Sequence, residues 1–248
     1  MKFLKPSFII FIILTLWQLL ITLTNVPPYI LPSPASVIQA TISHADSIGG
    51  HAIITLIEMT SGLIIGTVLG SSSALLLSYY RPARQWLMPI LVISQAVPVF
   101  AIAPILVLWL GYGMISKITM AVLIIYFPVT AAFFDGLKNT NHGYLDLSHT
   151  MGASKISTLI HIKIPAALPA FASGLRVATA MAPIGAIVGE WVGSSEGLGY
   201  LMLHANGRMQ IDVMFAALLI LGIMAIILFY TVDAGLRRLL FWSTEKII

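Results

Sequence analysis

Long apolar runs separated by short polar breaks dominate this chain. A helix needs about 20 largely apolar residues to cross a bilayer. Six stretches meet or approach that length, at roughly 7–24, 52–79, 86–110, 115–134, 174–193 and 213–235. The pattern predicts an all-α fold: a polytopic membrane bundle of six transmembrane helices, with a polar connection over 136–173 between the fourth and fifth. The whole chain, 1–248, is expected to form a single membrane domain.

Detail within the runs refines this. The second carries Gly62, Gly66 and Gly70, which share one helix face and let a neighbouring helix approach closely. The third holds Pro89, Pro98 and Pro104, with Ser94 and Gln95 between them. Prolines free backbone carbonyls that protein or water must satisfy within a membrane. A cavity-lining break and a buried kink both fit. Met1–Lys5 is a basic start, as in a signal peptide, but no small-residue cleavage site precedes Pro27-Pro28, so the first run is expected to be retained. The proline-dense segment 27–34 is expected to be an ordered extended loop.

The connection over 136–173 is polar but patterned. Two short helices are expected, 143–151 and 155–163, with Gly152 closing the first in a left-handed turn and Ser154 capping the second. Ile156, Leu159, Ile160 and Lys163 follow helical spacing. Pro165 is expected to hold Ile164 out of helix, and Pro169 follows. Such a rigid helix-turn-helix suits docking to a soluble partner. A helix lying on the membrane surface suits the same residues.

Composition excludes much else. Hydrophobic residues make up 58% of the chain and charged ones 9%, against about 25% charged in a soluble domain. With no cysteine, disulfides, thiolate metal sites and cysteine nucleophiles are ruled out. None of the seven lysines follows a glycine, so there is no phosphate-cradling P-loop. The six histidines show no metal-binding spacing, and no catalytic group can be assembled. With the N-terminus in the cytoplasm, eleven Lys and Arg fall on the inner side and two, Lys117 and Arg208, on the outer. The basic balance is therefore a topology signal, and no nucleic acid need be invoked. Glu58, Glu190 and Asp233 fall within or near spans, where charge is costly. Gln95, Glu58 and Glu190 are candidates for a translocation path or gate, with a structural ion pair as the alternative for the acids. Asp233 has Arg237 four residues on, the spacing of a local helix pair. Asn206 stands in an outer loop, as a gate element or a plain turn residue.

The run Asp146-Leu147-Ser148-His149-Thr150-Met151-Gly152-Ala153, continuing to Ile164-Pro165 and Leu168-Pro169, resembles the cytoplasmic "EAA" loop of binding-protein-dependent ABC importer permeases. Asp146 stands where that pattern has Glu, and Leu147-Ser148 where it has two alanines. Leu31-Pro32-Ser33-Pro34, Ile102-Ala103-Pro104 to Gly113, and Gly189-Glu190 to Gly199 look like the nitrate/sulfonate/taurine-type group. That group tends to have an arginine early in the second helix, where this chain has Glu58. Pro183 through Asn206 looks most like permeases for thiamine pyrimidine precursors, with sulfonate, taurine or nitrate as other solutes. The resemblance implies a homodimer in a bacterial inner membrane, with both termini cytoplasmic. It also implies two copies of a cytoplasmic ATP-binding subunit and an extracytoplasmic solute-binding protein. ATP and magnesium would bind on the partner, this chain holding no cofactor and not being an enzyme. Asp146, Gly152, Ala153, Pro165 and Pro169 would form the ATPase-coupling loop. An ion-coupled secondary transporter is the competing expectation; it predicts symmetry between two halves, which the sequence does not display.

Overall fold

The computed structural model describes residues 4–94 and 97–242, and every regular element among them is a helix. Helix α1 runs Leu4–Thr24 and closes at Asn25, whose φ of 49° is left-handed. The proline-dense segment stays out of helix as far as Ser33, but Pro34 then opens α2, Pro34–Ser43, which the sequence reading missed. Pro34 sits where its missing N–H costs nothing, and the Ser33 hydroxyl accepts the Ser36 N–H at 3.1 Å. Helix α3 is continuous from Ala45 to Tyr79 and so begins well before the expected residue 52.

The expected third span is two helices, α4 (Arg81–Ser94) and α5 (Val99–Leu110). The break falls at Pro98, whereas Pro89 and Pro104 lie inside helices. Gln95 lies outside the described residues. Helix α6 covers Met114–Lys138 and α7 covers His142–Thr150.

Pro165 does not hold Ile164 out of helix. Helix α8, Lys155–Thr158, passes through a π-turn at Leu159–Lys163 straight into α9, Ile164–Gly193. Ile164 is helical, with φ −60° and ψ −54°, and its N–H bonds to Leu159 O. A proline inside a helix lacks a donor and presses on the carbonyl four residues back. The wider π-turn takes up both defects without ending the helix. The fifth apolar helix therefore starts far before residue 174. Helix α10, Leu198–Gly207, replaces the expected outer turn, and α11 spans Ile211–Leu239. Four stretches among the described residues are single helices long and apolar enough to cross a membrane: 45–79, 114–138, 155–193 and 211–239.

The chain forms two compact units. One comprises Leu56–Ser194 with the chain from Met224; the other comprises the chain up to Thr55 with Ser195–Ile223. In the first, α6 and α9 pack along their lengths, with α3 against α6. Ala121, Ile125, Val129, Ala178 and Ala182 form its dry centre. Small residues make this approach possible. A methyl placed on Gly62 would lie 2.5 Å from Ala121 Cβ, and one on Gly185 would lie 2.7 Å from Ala121 Cα. The other unit includes Trp17 against Phe215, with ring centroids 5.8 Å apart. Outward, Leu108, Trp109 and Ile227 are strongly exposed, as side chains facing lipid should be.

Candidate coupling loop and buried charge cluster

The polar connection is built from local rules. Asn141 caps α7 by accepting the Gly143 N–H at 2.8 Å. At the other end Gly152 takes φ 69°. Its N–H donates to His149 O at 3.0 Å, and the Ala153 N–H donates to Ser148 O at 2.9 Å. These two bonds are the Schellman closure, which needs a left-handed residue. Ser154 then accepts the Ser157 N–H at 3.2 Å and starts α8. The Thr158 and Ser148 hydroxyls, 3.3 Å apart, tie the two helices together. The result is a stiff hairpin whose surface carries exposed Tyr144, Leu147, Met151 and Ile156. Asp146 is exposed on α7, Ala153 is half-buried at the turn, and Pro165 and Pro169 lie in the first turns of α9.

Further along the same unit, a charge cluster is buried. Glu58 on α3 is fully enclosed, Lys117 on α6 is 5% exposed and Glu190 on α9 is 1% exposed. Lys117 Nζ lies 2.6 Å from Glu58 Oε1 and donates to Ser194 Oγ at 3.0 Å. Glu190 comes within hydrogen-bonding reach of Glu58. One ammonium and one carboxylate thus pair in a nearly water-free place with a second carboxyl group beside them, and a buried ion pair persists only when its charges compensate one another. Lys117, which the charge count assigns to the outer side and the expected span 115–134 contains, is the partner of Glu58. A lysine three residues into an apolar helix was the available signal, since a charge there demands a countercharge.

A second buried group joins α9 to α11. Asp233 accepts from Arg176 Nε at 2.6 Å and from Arg237 Nε at 2.7 Å. The spacing of the sequence predicts the Arg237 pair; it does not predict Arg176, which the charge count assigns to the cytoplasmic side.

Asn206 belongs to the other unit, exposed in the last turn of α10. There α3 supplies the cap for α10 from a distance. His51 Nδ1 accepts the Gly197 N–H at 3.0 Å, and Thr55 Oγ1 accepts the Leu198 N–H at 2.8 Å. Tyr200 stacks on His204 at 5.4 Å. Neither His51 nor Thr55 stands out in the sequence, because the backbone groups they cap lie far away along the chain. Among the described residues, no three His, Asp or Glu side chains gather as a metal ligand set.

The family model described as "Binding-protein-dependent transport system inner membrane component" matches residues 62–240. A "probable ABC transporter permease protein" of Haemophilus influenzae is 57% identical over 242 residues, 98% of each chain. A formylaminopyrimidine transport permease protein of Halalkalibacterium halodurans is 37% identical over 244 residues, covering 98% of this chain and 97% of its own. Among solved structures, a chain of the MetNI methionine ABC transporter in an inward-facing conformation superposes with a TM-score of 0.63. It covers 75% of this chain and 92% of its own at 20% identity, a likeness of fold.

Proposed function

This chain belongs to the binding-protein-dependent transport system inner membrane components and is a permease subunit of an ABC importer, and from that premise we propose that its solute is a pyrimidine precursor of thiamine. The observation that carries the solute assignment is the end-to-end match, at 37% identity, with a formylaminopyrimidine permease. In this reading the chain acts as one permease domain of six spans, counting α1 and the α4–α5 pair as two of them. Both termini are cytoplasmic, and the permease is a homodimer in a bacterial inner membrane. Two copies of an ATP-binding subunit, carrying ATP and magnesium, dock on the Gly152 hairpin. A solute-binding protein delivers from outside.

The geometry supports a mechanism of alternating access. The hairpin is stiff, and α8 continues without interruption into α9. Residues 155–193 form one rod of 39 residues, about 58 Å long at 1.5 Å per residue. A displacement of the hairpin by ATP-driven closure of the partner subunits is therefore carried along α9 as a rigid body. At the far end of that rod, Glu190 meets the Glu58–Lys117 pair, so movement of α9 loads or relaxes the buried charges.

Uptake of radiolabelled formylaminopyrimidine by cells with and without the gene tests the solute. We expect uptake to vanish on deletion, return on complementation, and resist competition by taurine, alkanesulfonate or nitrate. Uptake of taurine or a sulfonate in place of the pyrimidine would reassign the solute within the same family.

A further inference from the structure

At the root of the coupling hairpin lies a groove of about 720 Å³ between the end of α3, the start of α4 and the α7–α8 hairpin. Tyr79 and Tyr80 form one wall; His149, Lys155 and Lys163 form the other. No carboxylate lines it. Among the described residues neither lysine enters an ion pair, whereas Lys117, Arg176 and Arg237 all do. We propose that this groove binds the phosphate headgroup of an anionic membrane lipid.

The π-turn is what assembles the cationic wall. In a regular α-helix, residues i and i+8 point about 80° apart. One inserted residue makes Lys155 and Lys163 behave like an i, i+7 pair, which closes two turns and puts both on one side. Both side chains accordingly reach the same groove. The turn exists because Pro165 cannot continue a regular ladder, so the proline indirectly sets the spacing of two positive charges.

Position favours lipid as the source of the phosphate. Tyr79 and Tyr80 end a long apolar helix and pack edge to face, with ring centroids 4.8 Å apart. Tyrosines at a span terminus mark the headgroup level. Clustered lysines beside a span attract anionic headgroups. The groove also stays available when a protein partner docks. It is lined by the Leu145–His149 side of α7, whereas exposed Tyr144, Leu147 and Met151 lie on the opposite side. Asp146 sits between these two faces, outside the groove lining. A lipid phosphate seated here would bridge the α8–α9 rod to the tyrosines and brace the hairpin.

The inference rests on the permease reading only in taking the chain as membrane-embedded, and its test involves neither solute nor transport. Native mass spectrometry of the purified assembly in mild detergent would be titrated with phosphatidylglycerol and with phosphatidylcholine of the same acyl chains. We expect phosphatidylglycerol to bind at least about fivefold more tightly. Lys155→Gln with Lys163→Gln should abolish that preference. Lys155→Arg with Lys163→Arg should keep it, which separates charge from folding. Equal binding of the two lipids, or a preference untouched by the Gln pair, overturns the site. Displacement of phosphatidylglycerol by millimolar inorganic phosphate assigns the groove to a soluble anion and overturns the lipid. A failed pyrimidine uptake assay would leave all of these outcomes unaffected.

Discussion

Lys117 shows how a single residue can hold three helices. Its ammonium meets Glu58 of α3 at 2.6 Å, while Glu190 and Ser194 approach from α9 and the residue following it. Taking charges out of water is expensive, and removing one partner of a buried pair typically costs about 3–5 kcal/mol because the other is left uncompensated. Lys117→Met should therefore destabilise the protein by about that amount, read as a large drop in thermal midpoint in detergent. Adding Glu58→Gln to Lys117→Met should recover part of the loss, since the two residues interact directly. A Lys117→Met protein that melts like the parent would show that the cluster is not structural.

Between residues and the whole stand the helix ends. Gly152 takes a φ of 69°, and a methyl there would meet nothing within 4 Å, so the constraint is conformational rather than steric. An L-residue in that region costs about 1–2 kcal/mol, too little to unfold the chain. Gly152→Asp adds a charge at the tip of the hairpin proposed to dock the ATP-binding subunit. We expect the variant to reach the membrane but to lose stimulation of the ATP-binding subunit, measured as ATPase activity in reconstituted vesicles. Normal coupling in that variant would remove the docking role. The start of α10 depends instead on tertiary partners. Thr55→Val deletes the acceptor of the Leu198 N–H and leaves that donor orphaned, at a cost of about 1–3 kcal/mol. Hydrogen exchange over 198–203 should accelerate, with exchange in α6 unchanged. Uniform acceleration would indicate global loosening rather than a lost cap.

At the scale of the molecule the testable property is orientation. The chain contains no cysteine, so single cysteines can be introduced without background. With Lys117 and Arg176 buried in ion pairs, the charges that set topology are those left at helix ends. Met151→Cys should react with a membrane-impermeant maleimide only after the cells are opened, and Met209→Cys should react in intact cells. The reverse pattern would invert the topology and place the hairpin out of reach of any ATP-binding subunit.

Much of this protein was legible in its sequence for one physical reason: the interactions concerned are local. Apolar runs of sufficient length become helices because a bilayer leaves the backbone no other way to satisfy itself. Gly152 and Ser154 mark the hairpin because a Schellman closure and an N-cap draw on partners only a few residues away. The i, i+4 pair of Asp233 and Arg237 is likewise set by helix geometry. What the tertiary structure alone decided involves groups remote along the chain. Spacing could not show that Lys117 turns inward to Glu58, that Arg176 joins Asp233, or that His51 and Thr55 cap α10. Pro165 failed as a breaker because a π-turn absorbed its defect within a helix held by packing on α6. Sequence could specify the elements because each is stabilised from within. It could not specify where buried charges find their partners, because that depends on which helices the fold brings side by side.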